Sequence, residues 1–221
     1  MNIVVLSDIH ANSEALEPLK PALREAELVL CLGDFVGYYC QVNEVLDFLR
    51  CLPAISVRGN HDQFLLSGWP LSAPDAVRFG IEYADRVIDP DHRRWLAGLP
   101  LVWGGLAGGR SVLLSHGSPF RPLEAYLYPN RIPEVPLEKF DFDWLAFGQT
   151  HRPYLDTSRR PFLLNPGSVG QARHRPGVAC GARLHTESMT VELLEFPYDP
   201  TPVTSLAKKN GAGDWIEKHL V

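Results

Sequence analysis

Residues 2–10 read NIVVLSDIH, a short apolar run that ends abruptly in a carboxylate and an imidazole. A run of this kind is typical of a buried parallel strand, and its polar residues would emerge at the C-terminal edge, where open α/β sheets bind their ligands. Asp8 and His10 could then share one metal ion if the chain turns directly after the strand. Alone, the triplet is weak evidence, because Asp-x-His occurs by chance in many proteins.

The same pattern returns further along the chain. Short apolar runs at 28–32, 54–57, 111–114 and 144–147 are each followed by polar residues of metal-ligand or acid–base type. The segments that follow them are GDFVG at 33–37, RGNHD at 58–62, SHG at 115–117 and GQTH at 148–151. The sequence therefore predicts that one sheet edge gathers oxygen and imidazole ligands: Asp8, His10, Asp34, Asn60, His116 and His151.

The apolar periodicity also predicts the fold class. Helices are expected over 12–25, bent or shortened by its two prolines, over 42–49, and twice within 75–99. Runs at 162–168, 178–184 and 189–196 are expected to form consecutive strands of a second, more antiparallel sheet, and the tail at 204–220 two short helices, with His219 in solvent. The pattern indicates an α/β fold, a four-layer α/β/β/α sandwich of two mixed sheets flanked by helices, in a single domain over 1–221.

Composition narrows the function classes. The 221 residues are 45% hydrophobic and 21% charged, as in ordinary globular proteins. The net charge of -5 and pI near 5.9 argue against long nucleic acid as a partner, although a local basic patch stays open. No apolar run approaches the roughly 20 residues of a membrane span, and four cysteines without a C-x-x-C pair indicate reduced thiols. We expect a cytoplasmic protein with a small anionic substrate.

The residue types of the predicted cluster indicate its chemistry. Oxygen and imidazole ligands without thiolate suit Mn, Fe, Zn or Co rather than a structural zinc cage. A carboxylate such as Asp34 can bridge two cations. Two metal ions roughly 3.5 to 4 Å apart can clamp a phosphoryl group and activate a water between them.

The five segments DIH, GDFVG, GNHD, SHG and GQTH resemble, in the right order, the blocks of the calcineurin-like metallophosphoesterase superfamily. Beyond them, NPGSVGQ at 165–171 resembles a segment of the small bacterial branch of that superfamily. The resemblance implies a phosphoric ester hydrolase with two divalent transition metal ions, drawn from Mn, Fe, Zn, Co and Ni. The first ion would be held by Asp8, His10, Asp34 and His151, and the second by Asp34, Asn60 and His116, with Asp34 bridging.

The resemblance also implies roles for two neighbours in the GNHD segment. His61 matches the histidine that protonates the leaving oxygen or steadies the phosphoryl transition state. Asp62 would orient that imidazole. These two residues are the predicted catalytic pair.

One position departs from the family pattern. The last block usually reads Gly-His-x-His, and its first histidine is a ligand of the second metal, but Gln149 stands here. A glutamine carbonyl is a weaker transition-metal ligand than imidazole, so the second site is expected to bind more loosely. Three outcomes stay open: two metals with a labile second ion, one tightly held metal with a reduced rate, or another role for the protein.

The predicted activity is hydrolysis of small phosphodiesters or phosphomonoesters, nucleotide-type esters among them, by a metal-activated water. Arg173 is the candidate for binding the substrate phosphate, although a surface salt bridge explains it nearly as well. Tyr38 and Tyr39 either flank an aromatic leaving group or pack in the core. The alternative is a metal-binding scaffold or phosphoryl-ligand sensor whose catalysis is weakened by Gln149. Homo-oligomer formation is left open.

Overall fold

Strand β1 (Asn2–Leu6) lies in the middle of a five-stranded sheet, as its uninterrupted apolar sequence predicts. It pairs in parallel with β2 (Leu28–Cys31), which in turn pairs in parallel with β3 (Ala54–Ser56). On the other side of β1, β9 (Val178–His185) runs antiparallel to it and carries the edge strand β10 (Thr190–Pro197). The structure, a computed structural model, describes residues 1–217.

The second sheet also has five strands, in the order β4-β5-β6-β8-β7. Its three inner strands are parallel, and an antiparallel strand closes each edge. The strands are β4 (Val102–Ala107), β5 (Arg110–Ser115), β6 (Trp144–Ala146), β7 (Pro153–Asp156) and β8 (Phe162–Pro166). Parallel inner strands bring their carboxyl ends to one edge, as in the first sheet.

Helices cover the outer face of the first sheet. They are α1 (Ser13–Leu16), α2 (Lys20–Glu25), α3 (Val42–Arg50), α4 (Asn60–Ser67), α5 (Asp75–Val87), α6 (Pro90–Gly98) and α7 (Thr201–Lys209). A 3₁₀ turn at Glu17–Leu19 separates α1 from α2, so Pro18 interrupts the first helix as predicted. Within residues 1–217, no helix is long and apolar enough to cross a lipid bilayer.

The strand residues alternate between two apolar layers. Val5 and Leu30 point between the sheets, where they join a buried cluster that includes Leu114 and Trp144 of the second sheet. Val4 belongs to the separate cluster under the helices. A strand that buries both faces needs apolar residues at every position, which is why the runs in this sequence are continuous rather than alternating.

The outer face of the second sheet is covered differently. Two 3₁₀ turns, Ile132–Glu134 and Leu137–Lys139, place Ile132 and Leu137 against the outward-facing Leu113 and Leu145. The predicted α/β architecture of two mixed sheets with flanking helices is confirmed. Its fourth layer consists of these short turns at 132–139.

The prediction that the last three strands all belong to the second sheet is wrong in part. Only the run that begins at Phe162 joins the second sheet, whereas β9 and β10 return to the first sheet beside β1. The register sets Val5 opposite Ala182, so the small side chains of β9 complete the layer between the sheets. An apolar run shows that a strand is buried, but it does not identify the partner with which the strand pairs.

The expectation for the C-terminal tail also changes. The tail forms α7 and one 3₁₀ turn at Asp214–Ile216. The remainder of the predicted final helix, with His219, lies outside the described residues.

Candidate metal centre

The carboxyl ends of the parallel strands in both sheets meet at one site, and all seven predicted ligands lie there. Each follows a strand directly or begins the next helix, and each is at least about nine-tenths buried: Asp8, His10, Asp34, Asn60, His116, Gln149 and His151. The structure therefore brings together the residues that the strand-end pattern singled out, and their role as metal ligands stays a prediction.

Five of these residues have left-handed backbone geometry: Asp8, His10, Asp34, Gln149 and His151, with φ between 54° and 67°. Such a conformation costs a non-glycine residue about 1–3 kcal/mol and persists only when its surroundings impose it. Here the loops brace one another, since the Asp8 amide donates to the Gly33 carbonyl and the His10 amide to the Asp34 carbonyl. The turns that aim the ligands inward are thus held by neighbouring strand ends.

The first ligand group consists of Asp8, His10 and His151. His10 Nδ1 lies 3.1 Å from the Val36 carbonyl, and His151 Nδ1 lies 2.8 Å from the Gln171 carbonyl. A carbonyl only accepts, so each Nδ1 carries the proton and each Nε2 presents a lone pair. This arrangement, a backbone acceptor behind each imidazole, is the one that orients metal-bound histidines.

The two lone pairs face each other. The Nε2 atoms of His10 and His151 are only 3.2 Å apart, and neutral imidazoles in these tautomers cannot hydrogen-bond to one another. Asp8 Oδ1 lies 3.3 Å from His151 Nε2 and is a buried oxygen without a hydrogen-bond donor. A buried anionic oxygen beside two converging lone pairs fits a divalent cation, which would satisfy all three atoms.

The second ligand group shares Asp34 with the first. Asp34 Oδ2 lies 3.3 Å from His116 Nε2 and 3.8 Å from His10 Nε2, so one oxygen stands between the groups. His116 Nδ1 is 2.7 Å from the Leu32 carbonyl, and its Nε2 is 3.0 Å from Asn60 Oδ1. This placement fits the bridging role that the resemblance implies for Asp34.

Comparison with known proteins agrees with this geometry. The profile of the calcineurin-like phosphoesterase superfamily domain matches residues 1–189. The chain belongs to the calcineurin-like phosphoesterase superfamily. Members of this family use divalent metals, and this phosphoesterase is a hydrolase of phosphoric esters.

Relatives span the whole length of the phosphoesterase. An uncharacterized protein of Methanocaldococcus jannaschii is 30% identical, over 99% of this chain and 96% of its own. The crystal structure of a metallophosphoesterase from Sphaerobacter thermophilus has a TM-score of 0.83 and 29% identity, covering 100% and 98% of the two chains. A hypothetical protein from Pyrococcus horikoshii shares the fold, with a TM-score of 0.84 at 22% identity over 99% and 97%.

The electrostatics of the centre favour cations. Burial alone would raise the pKa values of Asp8 and Asp34, but His151 beside Asp8 and His116 beside Asp34 outweigh it and hold both below the usual carboxyl range. Burial alone would lower the pKa of His116, yet the charge of Asp34 and the hydrogen bond to it raise that pKa to about 10. Both carboxylates are therefore anionic and available to a cation.

Asp62 has another role than the predicted one. Its carboxylate accepts four backbone N–H bonds, from Asp34 and Gly59 to one oxygen and from Phe35 and Val36 to the other. No hydrogen bond among the described residues joins it to the His61 ring, so the prediction that Asp62 orients this imidazole is wrong. Asp62 instead fixes the turn that carries Asp34. Burial, then the nearby charge of Asp34, raises its pKa to about 7.

His61 points toward Asp34 from the other side. Its Nε2 lies 3.9 Å from Asp34 Oδ2, and its Nδ1 has no hydrogen-bond partner. Burial is the main reason that the pKa of His61 is lowered to about 4. The backbone of His61 is fixed, because its amide donates to Asp34 Oδ1 at 2.8 Å. The predicted catalytic role of His61 stays a prediction.

Gln149 turns its amide nitrogen toward the second ligand group. The nitrogen donates to the Leu123 carbonyl at 2.9 Å and to Asn60 Oδ1 at 3.3 Å. Its carbonyl oxygen is buried without a partner beside Gly117. The position is the predicted one, but the atom that faces the ligand Asn60 is a donor.

Tyr38 and Arg173 lie at the site, whereas Tyr39 does not. Tyr39 is fully buried in the core, whereas Tyr38 packs edge-on against His10 and lines a cavity beside the centre. Arg173 is exposed at the same cavity and donates to the Tyr38 hydroxyl at 3.3 Å. The structure therefore brings Arg173 to the site, and its predicted contact with substrate phosphate stays a prediction.

Several groups that support the site were not predicted from the sequence. Backbone carbonyls that orient the histidines carry no sequence signal at all. Ser168 did have a sequence signal, because it lies in the NPGSVGQ segment. Its hydroxyl donates to the Asp8 carbonyl at 2.8 Å and accepts from the Gln171 amide. This segment therefore holds the turn after β1 and the carbonyl behind His151.

A Gly59→Ala substitution is expected to destabilise the phosphoesterase by about 1–3 kcal/mol, the usual cost of overpacking a well-packed site. A Cβ there would overlap the carboxylate and the amide of Asp34, and these groups are held by the His61 amide and by the Asp62 carboxylate respectively. Urea unfolding measures the change. Gly98→Ala is the matched control, because a Cβ at Gly98 meets no atom within 4 Å. Equal stability of both variants would contradict the close fit at Gly59.

Proposed function

We propose that this phosphoesterase hydrolyses small phosphodiesters or phosphomonoesters that carry a planar aromatic group, as nucleotides do. The observation that carries the proposal is the pair of ligand groups that share Asp34 Oδ2, with lone pairs and anionic oxygens directed at one place. Asp8, His10, Asp34 and His151 would hold one ion, and Asp34, Asn60 and His116 a second, more loosely held ion. Manganese is the first metal to test.

A cavity beside the centre supports the choice of substrate. Its volume is about 670 Å³, and its inner end is formed by Asn60 and His61. A phosphoryl group at these two residues would leave its organic substituent inside the cavity. A pocket of this size is in the range of sites that enclose small organic ligands.

The walls of the cavity favour a flat apolar substituent. Phe64 and Tyr126 line it together with Tyr38, and Tyr126 is 42% exposed. The ring of Tyr126 is stacked on that of Tyr128, 5.7 Å away and nearly parallel, which holds it as a rigid surface. Stacking of a base on an aromatic side chain contributes about 1–3 kcal/mol whatever the base, so aromatic walls favour nucleobases as a class.

The chain's own polar groups divide the remaining tasks. Divalent cations supply Lewis acidity and lower the pKa of water. His61 stands at the boundary between the ligands and the cavity, where an N–H of its ring can donate a hydrogen bond to an ester oxygen. Of the described residues that line the cavity, Arg173 alone is cationic at neutral pH, and a guanidinium is suited to phosphate oxygens.

Hydrolysis by the purified protein tests the proposal directly. After loading with Mn²⁺, the protein is expected to cleave bis(p-nitrophenyl) phosphate or p-nitrophenyl phosphate, with nucleoside esters preferred over alkyl esters. Absence of turnover with each of Mn²⁺, Co²⁺, Ni²⁺ and Fe²⁺ would refute it. We also propose a cytoplasmic location, which fits the four free cysteines.

Truncation of the aromatic wall gives a sharper prediction. Tyr126→Ala is expected to raise KM for an aromatic ester roughly tenfold, because one stacking surface is lost, while KM for an alkyl ester stays unchanged. Steady-state kinetics on both esters measure the difference. Phe120→Ala is the matched control, since Phe120 is equally exposed but packs on Phe140 outside the cavity. Equal effects on the two esters would argue against base stacking.

The alternative function is a sensor or scaffold that binds phosphoryl ligands without efficient catalysis. The donor that Gln149 presents to Asn60 favours it, since the second ion would then lack a side-chain ligand that the family usually supplies. Gln149→His separates the two functions. A large gain in second-ion occupancy and rate would favour an impaired site, whereas a fully loaded and fast wild type would exclude it.

A further inference from the structure

The Gln149 carboxamide links two residues that line the cavity, Asn60 and Leu123. Its nitrogen is shared between Leu123, in the loop at 117–126, and Asn60, the first residue of α4. That segment, the pocket loop, supplies Leu123, Glu124 and Tyr126 to one wall of the cavity, and α4 supplies the facing wall. One side chain therefore connects both walls to a residue that would hold the second ion.

The orientation of this amide follows from its neighbours. The Leu123 carbonyl can only accept a hydrogen bond, and Asn60 Oδ1 is likewise a carbonyl oxygen. If the amide were reversed, its oxygen would lie against two acceptors in a buried place, which costs free energy at each. Only the nitrogen satisfies both contacts, so the atom of Gln149 nearest to Asn60 has no lone pair for a metal ion.

The pocket loop has few other attachments at this point. Its internal bonds join the Gly117 amide to the Pro122 carbonyl and the Ser118 amide to the Ala125 carbonyl, which fix its shape. The 2.9 Å bond from Gln149 to Leu123 ties that shape to the ligand cluster. Gly117 leaves space for the Gln149 side chain, since a Cβ at Gly117 would lie 2.6 Å from Gln149 Oε1.

We infer that Gln149 is a positioning residue that fastens the pocket loop to Asn60, and that it is not a metal ligand. With glutamine in place of the family's histidine, the second metal site has one ligand fewer, and one wall of the cavity is held in place. The loss of a ligand loosens the second ion, while the bound loop keeps Tyr126 and Leu123 in place for the substituent of the ester. The inference deepens the function proposed above and rests on it for the identity of the ion and substrate.

Hydrogen–deuterium exchange of the metal-free protein tests the inference without turnover. Gln149→Glu keeps the shape of the side chain but replaces the shared donor by an acceptor, and Gln149→Leu removes it. In both variants we expect the amides of 117–126 to exchange roughly tenfold faster, because a buried hydrogen bond is lost. The midpoint of urea unfolding and the exchange of β1 are expected to stay near those of the wild type.

Gln63→Glu is the matched control for charge. Gln63 lines the same cavity, and its side chain donates to the Ser67 hydroxyl, one turn further along α4. This variant is expected to leave loop exchange unchanged. A merely structural role of Gln149 would instead accelerate exchange throughout the protein and lower the unfolding midpoint.

Kinetics and metal titration give the second readout. With saturating Mn²⁺, Gln149→Leu is expected to raise KM for the aromatic ester roughly tenfold and to lower kcat by a smaller factor. Unchanged loop exchange in either variant overturns the inference. So does tighter binding of a second Mn²⁺ by Gln149→Glu with the loop still protected, since that result would make position 149 a ligand. Failure of the wild type to turn over any ester affects only the proposed function.

Discussion

Asp34→Asn is expected to abolish turnover by this phosphoesterase, with a loss of at least about 10³-fold in kcat/KM, because cation stabilisation of the transition state is worth several kcal/mol. Asp34 Oδ2 lies within 4 Å of the Nε2 atoms of His10, His61 and His116 alike. An amide nitrogen there would face those imidazoles as a donor and could not bind a cation.

The substitution is expected to leave the fold intact, so that a loss of activity can be attributed to the metal site. The carboxamide oxygen that takes the place of Asp34 Oδ1 would still accept the His61 amide, and the bond from the backbone N–H of this position to Asp62 does not involve the substituted side chain. Urea unfolding is therefore expected to remain cooperative. The metal content of the purified protein, measured by mass spectrometry, is expected to fall with the activity.

Asp91→Asn is the control, since Asp91 is an exposed residue of α6 that pairs with the exposed Arg94. It is expected to keep both metal content and rate. Full activity of Asp34→Asn, or lost activity with the metal content of the wild type, would contradict the bridging role.

Much of the centre could be predicted because strand ends are visible in the sequence. Apolar runs that stop at Asp8, Asp34 and His116 indicate buried parallel strands, and parallel strands deliver their last residues to one edge. The prediction that these residues lie at one edge does not depend on which strands pair with each other. It would hold for any order of the strands within each sheet, provided the two edges face each other.

Features that depend on pairing or on backbone geometry could not be predicted in this way. The return of β9 to β1 rests on a register between Val5 and Ala182 that no local pattern encodes. The left-handed conformation of Asp34 and His151 is imposed by neighbouring loops against the preference of the residues themselves. Sequence reasoning succeeds where one strand decides the outcome and fails where two distant segments decide it together.

Asp62 and Gln149 illustrate the same limit for side chains. The family resemblance implied a role for each, Asp62 as the neighbour of His61 and Gln149 as the residue in place of the family's histidine. In the structure Asp62 bonds the backbone 26 to 28 residues earlier, and Gln149 bonds Leu123, 26 residues earlier. A carboxylate or amide with several acceptors and donors in reach takes the contacts that satisfy it best when buried.

His61→Asn is expected to lower kcat by about 10²–10³-fold, the usual effect of removing a group that transfers a proton or donates a hydrogen bond in the transition state. The His61 ring lines the cavity beside Asn60, and its Nδ1 has no hydrogen-bond partner among residues 1–217. Glycine at position 37 leaves space for this ring, because a Cβ there would overlap Nδ1. The imidazole is therefore accommodated by the fold but left available to a ligand.

Metal content distinguishes this role from that of a ligand. His61 Nε2 is within 4.8 Å of ligand atoms of His10 and Asp34, so these atoms could in principle share an ion. We expect His61→Asn to retain the metal of the wild type, because His10 is completed by Asp8 and His151 without it. His185→Asn is the control, since His185 lies opposite Asn2, at the far end of β1 from the centre. Loss of metal together with activity would make His61 a ligand, and the low rate would then follow from an incomplete site rather than from a missing proton donor.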